Sequence, residues 1–361
     1  TLEKVNSASC GPGDRILFRA GQEWHGTLKL SSSGAPGEPV VVGSYGRGAL
    51  PVINGDGGGR AVHLTNVSHL IVKDLAITNP GEEGPPRDGI RVSWTEPGTY
   101  REVQLRNLLI HDVRGLVTRN TRPSFYANAG IYISADEKDA ILHDIRVENC
   151  TIRDVWGSGC RFKSNADRAT IYHPVFSNNL IRRTGCDGLI MTHCVSPVVA
   201  NNRCYGAGAH GVKDTGYIAG IWVGCYTRKS VFQYNEVART RTFKGDGNAF
   251  DVDNECSGTH VFQYNYLHGN EGGPLMVMPS ATAENIIYRY NVSVNDYQTP
   301  HPQDHEAFWL EPGGSENYEI YNNTFYMDNG SPVSITNNAD VTVRNNIFWV
   351  EGSDYEFPGR P

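Results

Sequence analysis

Apolar and polar positions along this chain follow one motif repeatedly: apolar, any, apolar, any, Asn, two further residues, apolar. It reads VQLRNLLI at Asn107, IRVENCTI at Asn149, VFSNNLI at Asn178, VVANNRC at Asn201 and VFQYNEV at Asn235. It continues as VFQYNYL at Asn265, IIYRYNV at Asn291, YEIYNNTF at Asn322 and VTVRNNIF at Asn345, with an early form, HLIVKDLAI, after Asn66. Between the motifs lies a second strand with period-2 alternation: GIRVSW, GIYISA, GCRFKS, GLIMTH, GIWVGC, AFDVDN, PLMVMP, AFWLEP and PVSITN. Alternation sends Ile90, Ile131, Cys160, Leu189, Ile221, Phe250, Leu275, Phe308 and Val333 to one face. A repeat too short to bury that face alone must stack on its neighbours.

The pattern predicts an all-β solenoid, a right-handed parallel β-helix of about ten coils. It forms one domain over residues 1–361, with N-terminal capping coils over about 1–60. The steps between successive Asn are irregular but centre on the length of one three-strand coil, mostly too short for a four-stranded propeller blade. The Asn itself is expected to be structural. It tolerates a left-handed corner, and its amide can bond to equivalent turns above and below.

Inward residues build the core of such a solenoid, so chemistry falls to the outward positions of the second strand. Arg161 and Lys163, Trp222, Asp251 with Asp253, and Trp309 with Glu311 then share one strip on coils about 4.8 Å apart. Basic groups, acids and tryptophans in one strip suit a sugar-binding groove. The densest stretch is KGDGNAFDVDNEC. Asp251 and Asp253 share one strand face, and like charges that close raise one pKa, as a general acid requires. Glu271, in HGNEGGPLMV, stands just ahead of the next strand and completes the expected catalytic set. Asp246, in the glycine-rich loop before the pair, is expected to bind substrate. HPQDHEAFWLEP adds Asp304, His305 and Glu306 beside Trp309 and Glu311 as further substrate contacts. Asp187, before Gly188, matches Asp88 before Gly89, so a turn role competes with a functional one.

Composition narrows the partners. A formal net charge of −7 gives no reason to expect nucleic acid or an anionic membrane, and no apolar run is long enough to span a bilayer. Eight cysteines suit an oxidising compartment. At least one disulfide between neighbouring coils is expected, Cys194–Cys225, with Cys225–Cys256 or Cys160–Cys186 as alternatives. Sequons at Asn66, Asn149, Asn291 and Asn322 fit secretion, and a processed N-terminus would explain a chain that starts at Thr1 without an apolar leader. No zinc-ligand pattern is present.

The repeat, together with GDGNAFDVDN and HGNEGG, resembles the right-handed parallel β-helix carbohydrate-active proteins of the pectate-lyase-like superfamily. The acid cluster is most similar to the glycosidase branches, such as the β-helical α-L-fucosidases and xylanases. The sequence lacks the NTD, DD, GHG and RIK motifs of polygalacturonases and a clear pectate-lyase signature. The resemblance implies an extracellular, monomeric glycoside hydrolase acting on a polysaccharide or oligosaccharide by carboxylate catalysis without a cofactor. The alternative is a lyase in which the acids hold Ca²⁺ against a uronate and Lys163, Lys213 or Lys244 abstracts a proton. A third reading is a glycan-binding β-helix without catalysis.

Overall fold

The computed structural model describes residues 1–117, 126–212, 215–243, 245–278, 282–296, 308–310, 316–328 and 340–351. Their strands pair in parallel register from coil to coil and form three long sheets. Sheet A runs from Arg15–Arg19 to Asp340–Arg344 and sheet B from Glu23–His25 to Ile347–Val350, with 12 strands each. Sheet C runs from Leu28–Leu30 to Phe308–Leu310, with 10 strands. The first two coils carry no Asn corner, which is why counting that motif gives about ten. A short helix, Leu2–Asn6, lies at the start: Asn6 donates to Thr27 O at 2.9 Å and accepts from Lys29 N at 2.8 Å.

Period-2 alternation decides what lies inside. Ile90, Ile131, Cys160, Leu189, Ile221, Phe250, Leu275 and Phe308 are all buried in one continuous core; Val333 lies outside the described residues. Aromatic rings stack coil on coil, as in Phe232 and Phe262, 4.9 Å apart and nearly parallel. Such contacts add to area burial by about 0.5–1.5 kcal/mol each.

The corner between sheets A and B divides the role expected of one Asn between two residues. The first adopts left-handed backbone: Asp74, Asn107, Asn149, Asn178, Asn201, Tyr234, Tyr264, Tyr290, Asn322 and Asn345 all have φ near +55°. The second points inward, and from Asn179 onward it is always Asn. Asn179, Asn202, Asn235, Asn265, Asn291, Asn323 and Asn346 form a ladder in which each Nδ2 donates to the next Oδ1 at 2.9–3.1 Å. That same Oδ1 accepts the preceding Asn's backbone N–H. Each rung's second amide hydrogen goes to a main-chain carbonyl, as from Asn265 to Phe232 O at 3.0 Å. In the earlier coils Leu75, Leu108 and Cys150 fill this position with apolar bulk. Asn66 belongs to a different corner, between sheets C and A.

The cysteines correct the sequence reading: all eight are free. Cys194 and Cys256 point into the core, whereas Cys225 packs outside it against the cluster of Ile190, Ala219 and Trp222. Those partners therefore face opposite sides of the wall. Cys160 is also a core residue, while the Cys186 thiol turns to Asp187 Oδ2 at 3.0 Å. Asn291 is 1% exposed and committed to the ladder, so that sequon cannot carry a glycan in the folded chain.

The ladder predicts position-dependent losses. Asn265→Leu strands both N–H groups of Asn235 and the Phe232 carbonyl, and should cost about 2–4 kcal/mol in urea unfolding, since each buried orphan group costs about 1–3 kcal/mol. Asn346→Leu strands the matching groups of Asn323 and Ile320 but lies at the part-exposed end, where water can replace the lost partners, and should cost less, about 1–2 kcal/mol. Equal losses at the two positions would refute a cooperative ladder.

Candidate active site

The parallel register of sheet C aligns one outward row: His63, Arg91, Tyr132, Arg161, Ile190, Trp222, Asp251 and Met276. Around Asp251 this row opens into a cavity of about 400 Å³. Trp222 forms one wall, with Tyr126 stacked on it at 5.3 Å and 12°. Met276 and Met278 lie on the next coil, and Tyr217 comes from the loop ahead of the Trp222 strand. Four acids, Asp187, Asp246, Asp251 and Asp253, line the cavity together with Asn254.

Asp251 is 5% exposed, and among the described residues its Oδ1 has no hydrogen-bond partner. Burial, reinforced by the charges of Asp246, Asp253 and Asp187, pushes its carboxyl well above the usual carboxylate range. Loss of water and the surrounding like charge both favour the protonated form of this carboxyl. Asp187 is fully buried and is pushed up to about 6, chiefly by desolvation. It also pins the next coil by accepting from Ala219 N at 2.8 Å. Asp88 does the same at the equivalent position of sheet C three coils earlier, accepting from Ala129 N at 3.0 Å, so the shared Asp-Gly spacing marks a structural clasp that Asp187 combines with a place in the cavity wall.

Asp246 reaches the cavity because its loop is tightly tied. Asp246 pairs with Ile218 in an isolated bridge, and Gly247 N donates to Ile218 O at 2.8 Å. Gly247 has φ +80°, and a Cβ there would meet Gly272 N at 2.8 Å; only glycine fits that crossing. Glu271 is part of the same fastening. Its carboxylate receives Arg241 Nη1 at 2.8 Å and Thr242 N at 2.7 Å, and it does not line the cavity.

The remaining expected contacts divide. Trp222 lines the cavity with its indole Nε1 unpaired. Arg161 stands behind the wall, donating to Tyr126 O at 2.5 Å and lying 5.0 Å from the rings of Tyr126 and Tyr132. Lys163 is also outside the cavity, and its pKa is lowered by burial and by the Arg161 charge. Asp304, His305, Glu306 and Glu311 lie outside the described residues, as do Lys213, Lys244 and the Trp309 side chain. Tyr126 and Tyr217 went unnoticed in the sequence because loop aromatics carry no periodicity. Among the described residues no three His, Cys, Asp or Glu side chains converge to hold a metal.

A family model described as a right-handed beta helix region matches residues 53–296. Lacto-N-biosidase of Bifidobacterium longum subsp. longum is 28% identical over an alignment covering 96% of this chain and 27% of that protein. The chain therefore spans well under half of that relative's length. Among solved structures, the GH136 lacto-N-biosidase of Eubacterium ramulus superposes with a TM-score of 0.78 at 24% identity, covering 97% of this chain and 64% of that one. An alginate lyase from Paenibacillus sp. str. FPU-7 superposes with a TM-score of 0.59 at 18% identity, covering 87% and 95%.

The raised Asp251 predicts a pH-dependent stability with a defined sign. Between the unfolded value of about 3.9 and the raised folded value, the native state binds the extra proton. Stability from this group is therefore complete below the unfolded value and is lost as pH rises towards the folded one. Asp251→Asn removes that loss, so it should raise the melting temperature at pH 7.5 and leave it nearly unchanged at pH 4. A variant less stable than wild type at pH 7.5 would show that the buried carboxyl is not strained by its surroundings.

Proposed function

We propose that this chain, which belongs to the right-handed β-helix family, is the catalytic β-helix of a glycoside hydrolase of the lacto-N-biosidase type. Its substrate is an oligosaccharide whose terminal portion enters the cavity on sheet C. The carrying observation is a buried carboxyl with an unpaired oxygen, Asp251, grouped with Asp246 and Asp253 in an aromatic-walled cavity. Glycoside cleavage needs one carboxyl group to protonate the leaving oxygen and one carboxylate to act at the anomeric centre or on water. Burial of Asp251 keeps a proton in the cluster. Asp246, whose charge acts most strongly on Asp251, retains solvent access and passes that proton to the glycosidic oxygen. Asp253, also partly exposed, supplies the carboxylate. Trp222 and Tyr126 offer apolar surface to a sugar ring, and Arg161 holds Tyr126 in place.

This assignment moves two expected roles. Glu271 becomes a fastening for the Asp246 loop, because both its oxygens are occupied. Asp246 joins the catalytic group, because its loop delivers it to the same cavity as the other two acids. A volume of about 400 Å³ favours a short glycan terminus over a long run of polymer. The extracellular setting rests on the substrate alone, since the cysteines are free.

Three substitutions and one product analysis test the proposal. Asp246→Asn and Asp253→Asn should each lower kcat/KM by about 10²–10⁴-fold, the usual effect of removing a catalytic acid or base. Glu271→Gln should stay within about tenfold of wild type, with lowered thermal stability, because it acts through loop position and not through proton transfer. A folded Asp246 or Asp253 variant keeping more than about a tenth of wild-type kcat/KM would remove that residue from the mechanism. Products should carry new reducing ends without unsaturated uronate, and EDTA should change the rate less than about twofold, as acid–base cleavage uses no metal. Unsaturated products, with loss on chelation and recovery with Ca²⁺, would assign the cluster to a lyase.

A further inference from the structure

Sheet B, on a different face of the coil, carries a second hollow of about 500 Å³ that the catalytic reading does not use. It spans four successive coils. One outward row reads Arg182, Tyr205, Ala238, His268 in register, and the row beside it reads Leu180, Arg203, Glu236, Tyr266. Over the small Ala238 the rings of Tyr205 and His268 lean towards each other, their centroids 6.5 Å apart. Arg239, on left-handed backbone at the end of its strand, also lines the hollow.

The charges there do not balance. Glu236 is the one carboxylate among the lining residues. It is already engaged by His268 Nε2 at 3.0 Å and Arg203 Nε at 3.7 Å. Neighbouring arginines all find acids: Arg153 and Arg183 both pair with Asp154, and Arg241 pairs with Glu271. Arg182 and Arg239 have no such partner among the described residues. Two uncompensated guanidinium groups thus flank a concave, aromatic-bordered hollow on a chain whose net charge is −7.

We propose that this hollow is a non-catalytic glycan site for a single sugar unit bearing one negative group, a carboxylate or a sulfate. Arg182 and Arg239 meet the anionic group with paired N–H donors, the geometry in which guanidinium binds oxyanions best. Tyr205, His268 and Leu180 face the ring. Glu236 retains acceptor capacity for hydroxyls, since a carboxylate offers about four lone-pair sites. The hollow is far larger than a bare inorganic anion and falls within the range of small-ligand sites. A polyanion such as nucleic acid would meet the negative remainder of the surface.

The test uses the full chain and three probes, methyl glucuronide, N-acetylglucosamine 6-sulfate and neutral methyl glucoside, titrated by ligand-observed NMR. At least one charged sugar should bind, and the neutral sugar should bind at least about tenfold more weakly, a difference equal to one lost charge-assisted contact. The two charged probes distinguish carboxylate from sulfate. The double variant Arg182→Gln/Arg239→Gln should abolish binding, and Arg182→Lys/Arg239→Lys should restore part of it, while both keep wild-type hydrolytic rates. Binding that survives the glutamine variant, equal binding of the neutral sugar, no binding of any probe, or inorganic sulfate competing as well as the sugars would each overturn the proposal. None of these outcomes bears on the Asp cluster.

Discussion

The corner between sheets A and B is where this fold is most constrained. From the third coil onward each of these corners spans two residues, from Lys73 to Ala76 through to Arg344 to Ile347. Such a tight turn buries backbone groups that helix or sheet pairing cannot satisfy, and orphaned groups of that kind are costly. The asparagine ladder solves this over the C-terminal half by giving each rung's amide three partners inside the wall. Because the corner fixes how one coil sits on the next, the other connections are free to vary. The link from sheet B to sheet C runs from Tyr205 to Ile221 in one coil and from Ala238 to Phe250 in another. Those two connections deliver Tyr217 and Asp246 to the cavity.

Parallel stacking also explains how such unlike side chains become neighbours. Residues far apart in sequence are set one strand spacing apart along a row, and nothing in the core restricts what the outward row carries. Arg161, Ile190, Trp222, Asp251 and Met276 come from five coils and still lie side by side. An acid in the middle of such a row, with Trp222 on one side and Met276 on the other, loses water without gaining a cation among the described residues. The cations of the row stand further along it, where Arg161 steadies Tyr126 instead of neutralising Asp251.

What the sequence made legible follows from the same geometry. Period-2 alternation identified the inward column and placed Asp251 outside it, because a strand offers only two faces. It could not separate Asn178 from Asn179, since both fit a corner and only three-dimensional register shows which amide turns inward. It read Cys194 and Cys225 as equivalent, although one points into the core and the other out of it. Glu271 looked catalytic from its place before a strand, but Arg241 and Thr242, contributed by the preceding coil, claim its oxygens. Tyr126 and Tyr217 sit in loops, where spacing carries no information about direction.

The central claim is that burial of Asp251 supplies the proton that Asp246 delivers. The most direct measurement is the pH dependence of kcat/KM for wild type and Asp251→Asn on a glycoside with a chromogenic leaving group. The account predicts a bell-shaped wild-type profile whose alkaline limb reports the raised carboxyl, and a residual activity in the variant whose alkaline limb moves to lower pH. A variant that keeps the wild-type alkaline limb, at whatever absolute rate, would show that the proton used in cleavage is held elsewhere.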